Sequence, residues 1–425
     1  MAALVLLCVL YALLAALPAE AGSKLVLGTA GGSPGWLLGP LRFAGVPGAR
    51  GTLAGPLFYT GLWLALLLYV AVLMQVRELP ARAVLWTIAG LHLLFLLAPP
   101  LLSQDVFSYI AYARLGVTHS LNPYTHSPLD IPGDAVFGYA GSKDAVSVYG
   151  PVFTLLTYPL APLGVAGAFW VLKAVAAACS LAIVGLVWKG ARLLGRDPLL
   201  PAAFVGLNPL VLVHVVGGGH NEALVVLLTV LGVVVWVGGR RSEVGGTALA
   251  SIGAGIKASA GLVVPFLVLG SRERWLRSLV GAVLAFLAIA VLGYAVFGPH
   301  ALDALSFLNS NQARSSRWSF PYKTAQLLGA LLPGHRLDYR TAARVLYGVA
   351  FACVFLWLLW RTWRGQIDPV RAAGWATFAI LVASAWLVPW YVLWLLPLAA
   401  LAADRRLLAA SVALCAWMLV IAVPL

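Results

Sequence analysis

At 425 residues, 62% of them hydrophobic and only 10% charged, the chain is too apolar for a soluble enzyme, whose charged share is about a quarter. Its net charge of +14 comes from 28 basic and 14 acidic residues, and the basic ones sit in short connectors between apolar runs, where a membrane protein retains them, so nucleic acid is excluded as a partner. The four cysteines (Cys8, Cys179, Cys353, Cys415) lie inside apolar runs with no CxxC-type pairing, which excludes a disulfide framework and a cysteine metal site.

Apolar runs of about 18 residues or more recur from end to end, and each is a candidate spanning helix. The reading is an all-α polytopic membrane protein, one transmembrane domain over residues 1–425, with about 11 spans. They are predicted at Ala2–Pro18, Leu53–Val76, Ala83–Leu102, Val165–Trp188, Leu199–Val216, Ala223–Val237, Leu276–Phe297, Arg344–Trp360, Ala373–Val388, Tyr391–Leu401 and Leu407–Val423. Ala19-Glu20-Ala21 resembles a cleavage site, but the first segment lacks the basic start of a signal peptide, so a retained helix is expected. Val152–Leu163 is too short to cross and is expected along the interface.

The basic connectors (Arg77 and Arg82; Lys189, Arg192 and Arg196; Arg240 and Arg241; Arg361, Arg364 and Arg371; Arg405 and Arg406) are expected in the cytoplasm. Four polar features then face outward together: the 103–150 loop, Gly217–Glu222, the 298–342 loop and Pro389-Trp390-Tyr391. Residues 245–270 break the alternation, because arginines flank them on both sides. Gly253, Gly255 and Gly261 interrupt this stretch, with Lys257 near its middle. A re-entrant hairpin that lifts Lys257 outward reconciles the charges, since non-helical backbone is tolerated where it lines a protein cavity. The plainer alternative is one crossing that obeys the charge rule poorly.

Acidic groups near a membrane usually have a partner or a function. Asp105, Ser108, Tyr109 and Tyr112 follow the spacing of one helical face. A carboxylate among hydroxyls and aromatic rings suits a carbohydrate, although an acid at a helix start also complements the helix dipole. His220, Asn221 and Glu222 follow three glycines at another helix start and could bind a sugar or phosphate, or Asn221 could simply cap the helix. Lys257, Arg314, Arg317 and Lys323 are the outward cations. Such groups would stabilise a departing phosphate as negative charge builds on its oxygen, or would contact lipid headgroups. Trp318, Trp390 and Tyr391 could stack on sugar rings or belong to an interfacial belt. His119 and His126, with Asp130 and Asp134, have no metal-ligand spacing, so no metal is expected.

The run Gln104-Asp105-Val106-Phe107-Ser108-Tyr109, followed by Asn122-Pro123-Tyr124 and Tyr149-Gly150-Pro151, resembles the polyprenol-phosphate-mannose-dependent α-1,6-mannosyltransferases of bacterial cell envelopes. Gly218-Gly219-His220-Asn221-Glu222, Lys257 ahead of Pro265, and Pro389-Trp390-Tyr391 ahead of Trp394 also match that family. The resemblance spans roughly residues 83–400. It implies a GT-C fold, a polyprenyl-phosphate sugar as donor, and Asp105 as catalytic base. The resulting expectation is an inverting transfer of mannose to a glycolipid or polysaccharide acceptor at the outer face of the plasma membrane, giving an α-mannoside without metal or other cofactor. In it, Lys257 with Arg314 or Arg317 holds the leaving phosphate. The sugar and acceptor subsites draw on Tyr109, Tyr112, Asn122, Tyr124, Tyr149, His220, Asn221, Glu222, Trp318, Trp390 and Tyr391. The rival readings are a GT-C enzyme with another lipid-linked sugar and a flippase, whose paired inverted repeats have no counterpart here beyond the broken segment at Lys257.

Overall fold

The computed structural model describes the chain except for residues 21–22, 24, 27–33, 45–52, 240–241, 303–314, 333–337 and 423–425. Among the described residues all regular structure is helical and no strand occurs. The first part comprises α1 (Ala2–Ala16), the short α2 (Gly35–Leu38), α3 (Ala54–Gln75), α4 (Ala81–Leu97) and α5 (Asp105–Thr118). Next come α6 (Pro151–Thr157), α7 (Gly164–Leu193), α8 (Leu199–Gly206), α9 (Glu222–Val237), α10 (Glu243–Ala254), α11 (Val264–Gly270) and α12 (Trp275–Phe297). The chain closes with α13 (Phe320–Leu331), α14 (Tyr339–Trp363), α15 (Pro369–Ala383), α16 (Val392–Ala402) and α17 (Arg405–Ala422).

Four described stretches are long and apolar enough to cross a bilayer by themselves: Ala54–Glu78, Pro151–Leu193, Arg272–Ala301 and Tyr339–Trp363. Shorter apolar helices fill most of the other expected positions. α1 is built into the core, with Leu7 and Tyr11 wholly buried and the Tyr11 hydroxyl donating to the Leu207 carbonyl at 2.7 Å.

Three boundaries differ from the sequence expectation, each for a local reason. The run Ala83–Leu102 stops being helical at Leu97, because Pro99-Pro100 offers no N–H groups and pushes the preceding residue into the extended region. The run Leu199–Val216 is broken at Asn208-Pro209 into α8 and a π-helical segment, Val211–Gly217, bent by 60°. Asn208 Oδ1 accepts from Leu210 N at 3.0 Å and from Val211 N at 3.4 Å, satisfying groups the break frees. Residues 152–163, read from the sequence as a segment separate from the next span, run through α6 and a 3-10 turn into α7 as one apolar helical stretch.

The core lies around α9 and α16, with α9 packed between α7 and α10. In α16, Leu393, Leu395, Leu396 and Ala399 are wholly buried. Lipid tails are as apolar as these side chains, so close packing rather than water exclusion holds such helices together. α12 and α14, by contrast, expose most of their apolar surface. α10 runs from Glu243 to the break at Gly255, and the chain returns through Ala258–Val263 and α11 to Arg274. Arg274 Nη1 meets Glu243 Oε1 at 2.7 Å, so the two ends of this excursion are tied together and Lys257 sits at its far turn.

Candidate active site

Four segments distant in sequence meet at Asp105, His220-Asn221-Glu222, Lys257 and Trp390-Tyr391. The approach to Asp105 is fixed by the proline break after α4, and Leu101 N donates to the Gly217 carbonyl at 3.3 Å, joining that approach to the glycine run. Ser103 Oγ accepts from Asp105 N at 3.2 Å. Asp105 opens α5, and its Oδ2 lies 3.5 Å from His220 Nδ1. Its side chain keeps 40% of its surface open, whereas His220 has none and Glu222 1%. The base candidate is therefore reachable while its neighbours are not.

Gly219 has φ +68, a left-handed turn that glycine adopts without the penalty other residues meet. The turn sets His220 parallel to Trp390, centroids 3.9 Å apart and planes at 22°. Asn221 occupies the N-cap position of α9 but makes no side-chain cap bond. Its Oδ1 instead accepts from the Tyr109 hydroxyl at 3.4 Å. Glu222 Oε2 lies 3.6 Å from His220 Nδ1, and Glu222 Oε1 pairs with Lys257 Nζ. The Lys257 ammonium also sits 4.6 Å from the Tyr391 ring and 5.6 Å from that of Trp394, two rings stacked 4.2 Å apart.

The water-poor surroundings that partly enclose the Asp105 carboxyl push it up to about 6, and the negative Glu222 adds to the rise. Lys257 and Ser103 pull the other way. A carboxylate in that range is ionised at neutral pH yet more basic than a solvated one, as a general base requires.

Tyr109 packs edge-on against Tyr149 at 4.9 Å and Phe153 at 5.0 Å, forming an aromatic wall. Gly150 explains the Tyr-Gly-Pro sequence. Its N–H donates to Ile256 O at 2.9 Å, and a Cβ there would stand 2.1 Å from the Gly255 carbonyl. Pro151 starts α6 at a position where a missing N–H costs nothing. The long loop is thereby docked on the backbone just ahead of Lys257.

Other expected site residues lie elsewhere or use their polar atoms locally. The Tyr112 hydroxyl donates to Ala145 O at 3.0 Å and the Tyr124 hydroxyl to Tyr149 O at 2.8 Å. Asn122 Nδ2 donates to Phe297 O at 2.9 Å. These three brace the loop. Arg317 is exposed, and Trp318 is tied to α17, its carbonyl accepting from Trp417 Nε1 at 3.0 Å. Both adjoin the site's entry segment because Ser316 Oγ donates to Leu387 O at 2.7 Å, three residues before Trp390. Arg314 lies outside the described residues. Asp134 accepts from Arg114 Nε and pairs with His119 Nε2, both at 2.7 Å, pinning the loop to α5.

Sequence reasoning missed two features. Buried polar atoms without a hydrogen-bond partner among the described residues concentrate here: both ring nitrogens of His214 and of His220, Asn221 Nδ2, Glu222 Oε2, Ser259 Oγ and Trp394 Nε1. Leaving such an atom without a partner costs about 1–3 kcal/mol, so their clustering singles this region out as the candidate site. Lys173 is wholly buried, with Nζ donating to the carbonyls of Phe95 (3.0 Å), Ala98 and Pro99 (3.4 Å). It caps the C-terminus of α4 and so holds the segment that leads to Asp105. A lone cation inside an apolar span was the available signal.

A helical membrane protein with a carboxylate–histidine–lysine cluster walled by aromatic rings fits a glycosyltransferase, and comparison with known proteins makes that class specific. Residues 13–272 match the family described as alpha-(1->6)-mannopyranosyltransferase, N-terminal domain, and residues 324–425 match the MptB C-terminal domain. The chain is 32% identical over 413 residues to alpha-(1->6)-mannopyranosyltransferase A of Mycobacterium tuberculosis, covering 88% of this chain and 76% of that protein. It is 27% identical over 397 residues to a probable alpha-(1->6)-mannopyranosyltransferase of Mycolicibacterium smegmatis, covering 80% of this chain and 68% of that protein. To alpha-(1->6)-mannopyranosyltransferase B of Corynebacterium glutamicum it is 27% identical over 342 residues, covering 72% and 56%. No solved structure gives a significant match. The chain belongs to the alpha-(1->6)-mannopyranosyltransferase family.

Proposed function

We propose that the protein is an inverting mannosyltransferase of GT-C type that uses a polyprenyl-phosphate mannose donor. It acts at the outer face of the plasma membrane on a glycolipid or polysaccharide acceptor. In this reading residues 1–425 form one catalytic unit with about 11 spans, and 245–270 is a re-entrant hairpin that carries Lys257 to the outer side. The observation that carries it is the meeting of Asp105, His220, Glu222 and Lys257 from three separate segments, with the partly exposed Asp105 side chain against a buried histidine. Family membership supports mannose as the sugar.

Asp105 takes the proton from an acceptor hydroxyl, and that oxygen attacks the anomeric carbon of the donor. The bond from that carbon to the phosphate oxygen breaks, inverting a β-linked donor into an α-mannoside and releasing polyprenyl phosphate. Lys257, joined by Arg314 or Arg317, stabilises the charge on the leaving oxygen. His220, held flat under Trp390, fixes the orientation of Asp105. Tyr109, Tyr149, Asn221 and Tyr391 contact the sugars, and Tyr112, Asn122, Tyr124 and Trp318 shape the walls behind them.

The test is a donor panel with the purified protein in liposomes that also carry a cell-envelope glycolipid extract as acceptor: radiolabelled polyprenyl-phosphate mannose, polyprenyl-phosphate glucose and nucleotide-linked mannose. The expected result is product from the first alone, with the label released by α-mannosidase. Product from nucleotide-linked mannose alone contradicts the lipid donor, and movement of the labelled lipid across the bilayer without transfer contradicts catalysis.

A further inference from the structure

Away from the active site, a groove of about 590 Å³ runs between α14 and α15. Its walls are apolar, chiefly Phe351, Val354 and Trp357 from α14 and Phe378, Val382 and Trp375 from α15. One end is different: Arg361, Arg371 and Arg406 border it together with a single carboxylate, Asp404. That carboxylate is already committed, accepting from Arg371 Nε at 2.7 Å and Trp375 Nε1 at 3.0 Å. Arg361 and Arg406 thus give the end an excess of positive charge, with Arg361 resting on the Trp357 ring at 5.0 Å.

We propose that this groove is a binding site for one anionic glycerophospholipid, its phosphate between Arg361 and Arg406 and an acyl chain along the Phe351–Val354–Trp357 wall. The dimensions agree. From Tyr347 to Arg361 the groove follows α14 for about 21 Å at ~1.5 Å per residue, enough for one leaflet of a hydrocarbon core about 30 Å thick. α14 is among the helices that expose most of their apolar surface, so a lipid can enter sideways. The occupant is not the reacting donor. α16 follows Trp390, which stacks on His220, and ends at Ala402, just before Asp404. At ~1.5 Å per residue the arginine end therefore lies roughly 20 Å from the catalytic cluster.

The experiment is native mass spectrometry of the full chain in detergent, titrated with phosphatidylglycerol or with phosphatidylcholine of identical chains. One phosphatidylglycerol per chain is expected to be retained, with roughly thirtyfold lower affinity in the Arg361→Gln/Arg406→Gln double variant (two arginines at the per-charge attraction typical of anionic lipid surfaces). Arg192→Gln/Arg405→Gln removes the same charge from connectors that do not line the groove and should retain the lipid. Equal retention of phosphatidylcholine, or equal loss in both double variants, overturns the proposal. So does displacement of phosphatidylglycerol by polyprenyl phosphate at equimolar concentration. A second measurement needs only the wild-type fold: phosphatidylglycerol with a photoreactive acyl chain should label Phe351, Val354 or Phe378, and labelling spread over α12 instead contradicts a defined site.

Discussion

The two ends of the helix bundle use their charges in opposite ways. At the arginine end, acids are matched by guanidinium groups in direct contact: Glu243 with Arg274 and Asp404 with Arg371, both at 2.7 Å. These pairs are partly solvated and tie neighbouring segments. At the other end Glu222 pairs with the Lys257 ammonium, and Asp105 lies 3.5 Å from His220 with no guanidinium in contact among the described residues. Buried polar atoms without partners collect at that end. Asp134 with Arg114 pins the 103–150 loop in the same way, so the contrast lies with the cluster around Asp105, whose incomplete pairing is what the proposed base requires.

Breaking that comparison should produce effects of very different size. Asp105→Asn is expected to lower kcat by about 10²–10⁴, the usual contribution of a general base, with the melting temperature unchanged or raised because a charge repelled by Glu222 is gone. Lys257→Met leaves Glu222 buried without its partner and should cost about 3–5 kcal/mol of stability, read by denaturant unfolding in detergent, besides lowering kcat. Lys257→Arg should restore much of the stability.

The pH profile sharpens the contrast. Below about 6 the Asp105 carboxyl holds a proton and cannot accept another, so wild-type activity should fall as pH drops through that value. Glu222→Gln removes a negative neighbour, so the carboxyl ionises more readily and the acid limb should move to lower pH, measured as kcat/KM from pH 4.5 to 8. The smallest effect belongs to the far end. Arg274→Gln should leave kcat unchanged and shift stability by no more than about 1 kcal/mol, as expected for a pair of partly solvated groups.

Much of this contrast was legible in the sequence. Keeping the arginines on one side forced Asp105, Gly217–Glu222 and Pro389-Trp390-Tyr391 to the other, and the glycine-broken stretch pointed Lys257 the same way. What hydropathy could not show was backbone. Asn208-Pro209 marks the break ahead of Val211–Gly217, but nothing in the sequence marks that segment's π-helical winding. Lys173 is partnered by carbonyls, which every residue possesses and which no motif can signal. Tyr112, Asn122 and Tyr124 stand out in the sequence, but their hydrogen bonds to the carbonyls of Ala145, Phe297 and Tyr149 go to backbone partners that no motif signals. The stacking of Trp394 on Tyr391 was legible too, since a spacing of three residues places both rings on one helical face.

The most direct measurement is transfer from radiolabelled polyprenyl-phosphate mannose to a cell-envelope glycolipid extract by wild-type protein and Asp105→Asn, each reconstituted in liposomes and shown to be folded by its melting temperature. Loss of product by about a hundredfold or more in a folded variant is the predicted result. Transfer near the wild-type rate would contradict Asp105 as the base, and with it the reading of the Asp105 end of the bundle as the catalytic one.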